Sequence, residues 1–162
     1  MHLKSGALRI GAACAMVALL AACGGGGGGA DTSKPFSQSD YNKSFTSFIT
    51  AAGNNFDGFT GDPALVGTDS CTVDNAGKPG ASAECKMGDG YDKQDDAMKA
   101  YATQKDRMTK ALPSDARGGE QKNAAPNTPI RFAAISGKGG VILVLTKNAD
   151  KWVVGYVFQK AP

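Results

Sequence analysis

The chain has 162 residues with 18 basic and 15 acidic side chains, and its length favours a single domain. The formal net charge is +3, and two of the basic residues, Lys4 and Arg9, belong to the N-terminal segment. A charge this small gives no electrostatic case for binding nucleic acid. The one histidine is His2. Because it also belongs to that segment, no histidine-based triad, dyad or metal site is expected, and no cofactor is predicted.

The N-terminal segment has the pattern of an export signal. Lys4 and Arg9 precede thirteen uncharged residues, 10–22, rich in Ala, Leu and Val. A basic start, a short apolar run and small residues before a cut site are typical of a secretory signal peptide. As a helix these thirteen residues would rise about 20 Å, too little for a hydrocarbon core of about 30 Å. Residues 1–22 are therefore predicted to be removed.

The apolar run closes on Leu20-Ala21-Ala22-Cys23, which resembles the lipobox of bacterial lipoproteins. The resemblance implies that a diacylglyceryl group is attached to the Cys23 thiol. It also implies cleavage just before Cys23 and acylation of the new amino group, with a fatty acid such as palmitate. Two or more acyl chains anchor a protein stably. In Gram-negative members an Asp at the next position commonly signals inner-membrane retention. Since residue 24 is Gly, the periplasmic face of the outer membrane is predicted.

Six glycines, residues 24–29, follow the cysteine. Glycine has no side chain to pack and the largest backbone entropy, so this segment is predicted to be a flexible tether. Some fifteen such residues span about 20 Å r.m.s.. The predicted organisation is a signal peptide at 1–22, a lipidated cysteine and tether at 23–38, and one globular domain at 39–162.

The first half of the domain is predicted to hold a helix and a hairpin. Ser39-Asp40 is a candidate N-cap, and the helix stops at Gly53. Short strands at 71–73 and 83–87 flank a turn-rich segment, and Cys71 and Cys85 are predicted to form a disulfide in the oxidising exported compartment. Free thiols or a metal remain alternatives. The buried stripe of the helix is predicted to be Tyr41, Phe45, Phe48, Ile49 and Ala52.

The second half is predicted to hold a helix at 93–112, capped by Asp92 and ended by Pro113. Residues 114–128 are polar and are predicted to be a long loop, the first candidate for a contact surface. Strands at 130–136, 141–146 and 152–159 should form an antiparallel meander. The apolar run 141–145 predicts a central strand covered on both faces. The order αββαβββ predicts an α+β, two-layer fold with about five antiparallel strands and two helices on one face.

No motif in the domain specifies a chemistry. Asp89, Asp92, Asp95 and Asp96 lack the spacing of a calcium loop and are predicted to cap or turn the chain. Residues 137–140 lack the spacing of a phosphate loop. We therefore expect a non-enzymatic, membrane-anchored envelope lipoprotein that binds a protein partner. The alternative is a carrier of a small ligand or a peptidoglycan fragment. A hydrolase that works without histidine is the weakest of the three hypotheses.

Overall fold

The computed structural model describes residues 35–59, 65–121 and 129–161. The predicted signal peptide, Cys23 and most of the tether lie outside these residues. Two helices pack on one face of a six-stranded antiparallel sheet, so the predicted α+β class is confirmed with one strand more than expected. The elements are α1 (Gln38–Gly53), β1 (Ser70–Asp74), β2 (Ser82–Lys86), α2 (Gln94–Ala111), β3 (Arg117–Gln121), β4 (Ile130–Ser136), β5 (Gly139–Asn148) and β6 (Lys151–Gln159).

The sheet has the spatial order β1-β2-β6-β5-β4-β3. The last three strands form the predicted meander, and β6 returns to pair with β2, so the two hairpin strands extend the same sheet. This closure places the N-terminal half of the domain beside its C-terminal strand. Both helices contact β5 and β6, the two strands at the middle of the sheet.

Helix α1 begins two residues earlier than the sequence indicates. Ser37, not Ser39, is the N-cap, and it forms a capping box with Asp40 at the third helical position. Hydrogen bonds from Ser37 lower the pKa of the Asp40 carboxyl. The predicted stripe is confirmed: all five of its members are buried. Phe45 and Phe48 meet Phe158 of β6, with ring centroids 5.5 and 5.1 Å apart.

Helix α2 begins at Gln94, and the residue before it, Lys93, takes the N-cap position that Asp92 was predicted to fill. Its buried face includes Ala97, Tyr101 and Met108, as the spacing of apolar residues indicates. It also includes Gln104, a polar residue that is only 4% exposed. The core below both helices is completed by the inward face of β6, where Trp152, Val154, Tyr156 and Phe158 are all buried.

The Cys71–Cys85 disulfide joins β1 to β2, and the two cysteines are directly opposite in the antiparallel register. The predicted hairpin and its covalent link are both confirmed. Closing a loop of about fifteen residues stabilises a fold by about 3 kcal/mol on the chain-entropy model.

Strand β3 corrects the prediction of a loop at 114–128. Residues 117–121 form an edge strand that pairs with β4. Its sequence, Arg-Gly-Gly-Glu-Gln, contains no apolar residue, so the hydrophobic pattern carried no strand signal. Backbone pairing and Lys105 hold it instead: the Lys105 Nζ lies 2.9 Å from the Glu120 Oε2 and 5.5 Å from the centroid of the Phe132 ring. Residues 122–128 lie outside the described part of the chain.

Candidate functional site

The face of the sheet opposite the helices carries a patch of aliphatic side chains, which we call the open face. Successive residues of a strand point to opposite sides. On β5 the residues Val141, Leu143 and Leu145 are buried below the helices, while Ile142 and Val144 are only partly buried on the other side. The members of the open face are Ala133 and Ile135 of β4, Ile142 and Val144 of β5, and Val153 and Val157 of β6.

The strand register makes these side chains one continuous surface. Val157 is opposite Ile142, which in turn is opposite Ala133 on the next strand. Within residues 35–59, 65–121 and 129–161, both helices pack on the other face, and no helix or strand packs on this one. The prediction that β5 is central is confirmed, but the expected cover on both of its faces is not present in the described residues. Five consecutive apolar residues indicate that both faces of the strand avoid water. They do not indicate whether the cover on each face comes from this chain.

Charged residues flank the open face. Arg117 of β3 and Arg131 of β4 lie on the same side of the sheet as the patch, at its β3 edge, and both are exposed. At the opposite edge, Asp74 and Glu84 stand with Lys86 on the outward side of β1 and β2. An apolar centre with a charged rim is the usual composition of a protein–protein contact surface.

A second feature is a cavity of about 350 Å³ between α2 and the segments on either side of the β1–β2 hairpin. Tyr91 is held in its wall by paired backbone hydrogen bonds with Trp152, each with an N···O distance of 2.8 Å. Gly90 permits this approach, because a Cβ there would lie 2.9 Å from the Trp152 carbonyl oxygen. The side chains that line the cavity are Phe36, Asp69, Met87, Tyr91, Gln104 and Arg107.

Opposite charges line this cavity. The Arg107 guanidinium carbon lies 4.6 Å from the centroid of the Phe36 ring, so the cation rests on an aromatic face. Asp69 precedes β1, and burial together with the nearby Asp69 carboxylate raises the pKa of the Tyr91 hydroxyl. Among the described residues neither Arg107 nor Asp69 takes part in an ion pair.

Behind the cavity lies a buried chain of hydrogen bonds. The Tyr156 hydroxyl donates to Gln104 Oε1 at 3.0 Å, and the Tyr41 hydroxyl donates to Tyr156 at 2.9 Å. Burial raises the pKa of both tyrosines, so both hydroxyls keep their protons at neutral pH. The Tyr156 hydroxyl occupies one of the two acceptor positions of the Gln104 amide oxygen, and the amide nitrogen of Gln104 carries two donors.

The structure does not assemble the aspartates into a site. Asp96 pairs with Lys99 along α2, while Asp92 lies 4.0 Å from Lys151. In the described part of the chain, no group of three His, Cys, Asp or Glu side chains could hold a metal ion. None of its helices is long and apolar enough to span a bilayer.

Sequence reasoning missed both the open face and the cavity. The alternation of burial along β5 is hidden by an uninterrupted apolar run. Asp69 and Arg107 lie far apart in the chain, and no motif connects them. The only local sign of the cavity was the density of glycines between 88 and 90.

Comparisons of the chain with protein-family models, with curated proteins and with solved structures return no match.

Proposed function

We propose that this chain is a lipid-anchored protein of a bacterial envelope whose domain binds a partner protein through the open face. The observation that carries the proposal is the aliphatic surface on the outward side of β4, β5 and β6. The members of this surface are partly exposed. Apolar patches that reach solvent mark interaction sites, because leaving apolar surface in water costs roughly 25 cal/mol for each Å².

The charged residues beside the open face indicate what kind of surface the partner protein presents. Arg117 and Arg131 are exposed beside the patch, and an arginine pairs best with a carboxylate through two parallel hydrogen bonds. The partner would therefore be a protein that presents an apolar strip with an acidic group at one side. The domain acts by binding, without catalysis, as an accessory subunit, an assembly factor or an inhibitor.

The lipobox supports the anchored location. With lipid on Cys23 and glycine at position 24, the domain would be tethered to the outer membrane and face the periplasm. Replacing Cys23 with Ser should release the protein from membranes and remove the mass of the acyl groups in intact-protein mass spectrometry. Unchanged membrane partition and unchanged mass would contradict the anchor.

The interaction is tested by placing a photo-crosslinking amino acid at position 142 of the full-length protein in its native envelope. We expect one discrete crosslinked protein, and none from the same probe at Thr103, an exposed position on α2. A second probe at position 144 is combined with the double variant Ile142→Thr/Val157→Thr. These substitutions keep β-branched side chains but remove apolar area, so the crosslinked protein should no longer form. Crosslinking only to lipid, only to a second copy, or to nothing would refute the proposal.

A further inference from the structure

We propose that the cavity between α2 and the hairpin binds a small zwitterion, namely a free α-amino acid or dipeptide with an apolar side chain. The proposal goes beyond binding through the open face, because the cavity lies on the helix side of the sheet. It rests on the charges, the aromatic lining and the size of the cavity.

The two charges argue for a ligand that carries both signs. Arg107 and Asp69 line the same cavity without an ion pair between them. Both residues are partly buried, and burying a charged group without a partner of opposite charge is unfavourable. A simple anion would meet the Asp69 carboxylate, and a simple cation would meet the Arg107 guanidinium. A zwitterion places its carboxylate against Arg107 and its ammonium against Asp69, and so avoids both repulsions.

Arg107 is the residue that would bind the carboxylate of the ligand. The Arg107 guanidinium carbon lies 4.6 Å from the centroid of the Phe36 ring. A guanidinium can donate two parallel N–H hydrogen bonds to one carboxylate. The backbone of the same residue is also held, because Gln38 Nε2 of α1 donates to the Arg107 carbonyl oxygen at 3.1 Å. Gln104, one turn earlier on α2, also lines the cavity, and its amide nitrogen can donate to a carboxylate.

The remaining lining sets the size and polarity of the ligand. Phe36, Met87 and Tyr91 offer aromatic and thioether contacts that suit an aliphatic side chain. The volume of about 350 Å³ is at the lower end of ligand pockets, which run from about 300 to 1,000 Å³. An amino acid or dipeptide fits this volume better than a folded peptide or a long glycan.

The test is calorimetric titration of the full-length lipidated protein in detergent micelles. The probes are L-leucine, the dipeptide Leu-Ala, and two leucine analogues that each lack one charge, 4-methylpentanoate and 3-methylbutylamine. We expect saturable binding of leucine or the dipeptide, and at least tenfold weaker binding of both analogues. Equal binding of an analogue, or no binding of either zwitterion, would overturn the proposal.

Variants separate the roles of the two charges. Arg107→Gln and Asp69→Asn should each weaken leucine binding at least tenfold, and Arg107→Lys should restore only part of it because ammonium lacks the fork of guanidinium. Lys99→Gln, on the exposed side of α2 with 80% of its side chain in solvent, is the matched control and should bind as the wild type does. Urea unfolding of each variant shows that the fold is retained. Wild-type affinity in folded Arg107→Gln would refute the assignment.

Discussion

The buried chain from Tyr41 through Tyr156 to Gln104 predicts an asymmetry between two similar substitutions. Tyr156 is the middle member: it accepts from Tyr41 at 2.9 Å and donates to Gln104 Oε1 at 3.0 Å. Tyr156→Phe removes one hydroxyl but leaves two buried polar groups without a partner. Each such group costs about 1–3 kcal/mol, so the variant should lose about 3 kcal/mol of unfolding free energy.

Tyr41→Phe removes only the end of the chain. Tyr156 still donates to Gln104, and the lost hydrogen bond is worth about 1 kcal/mol net. The double variant lacks the Tyr41 hydroxyl, so it avoids the cost of a buried hydroxyl without a partner that Tyr156→Phe alone incurs. The double variant should therefore be no less stable than Tyr156→Phe alone, with a coupling of about 1 kcal/mol or more between the two sites.

The assay is equilibrium urea unfolding of the wild type, the two single variants and the double variant, with the slope m checked for constancy. Tyr91→Phe serves as a control, because Tyr91 is only partly buried and lies outside this chain of hydrogen bonds. If Tyr41→Phe costs as much as Tyr156→Phe, or if the two effects simply add, the hydrogen-bond order described above is wrong.

Three further predictions concern stability. Reduction of the disulfide, or Cys71→Ala/Cys85→Ala, should lower the unfolding free energy by about 3 kcal/mol, and the alanine variant should be insensitive to reductant in the same urea assay. Gly53→Ala should cost about 2–3 kcal/mol despite the better helix propensity of alanine, because its Cβ would clash with the Lys138 carbonyl oxygen. Gly119→Ala is the control and should be neutral, since a Cβ there meets nothing within 4 Å. Burial raises the pKa of Tyr41, Tyr101 and Tyr156 above the unfolded value. The free energy of unfolding should therefore be constant below about pH 10 and should fall above it, by up to about 1.4 kcal/mol per pH unit for each tyrosine. A flat profile between pH 9 and 11.5 would contradict this.

The helices and most strands could be predicted because their signals are local. Tyr41, Phe45 and Phe48 repeat at helical spacing, and the alternation from Trp152 to Phe158 marks one face of a strand. The disulfide was predicted from a pair of cysteines in a chain expected to be exported to an oxidising compartment, with free thiols or a metal as the alternatives. The helix starts were misplaced by one or two residues. Ser37 begins α1 through its capping box with Asp40, whereas Lys93 takes the N-cap position of α2 without a side-chain hydrogen bond.

Strand β3 and Gln104 show where local signals fail. Arg117–Gln121 has no apolar residue, and it becomes a strand only because the edge of β4 offers unpaired backbone groups and Lys105 bonds to Glu120. Gln104 is polar, yet it is buried because Tyr156 supplies a donor for its oxygen. Both depend on partners that are distant in the chain.

The α+β class and the buried face of α1 could be predicted from periodicity within a few residues. The disulfide could not be settled in that way, because free thiols or a metal stayed open until Cys71 and Cys85 were found opposite each other in β1 and β2. The side of the sheet that the helices cover, and the meeting of Asp69 and Arg107 in one cavity, are properties of the folded chain that no local pattern predicts. The physical reason is that burial and charge pairing depend on distances between segments, and a sequence orders segments along the chain without fixing how far apart they lie in space.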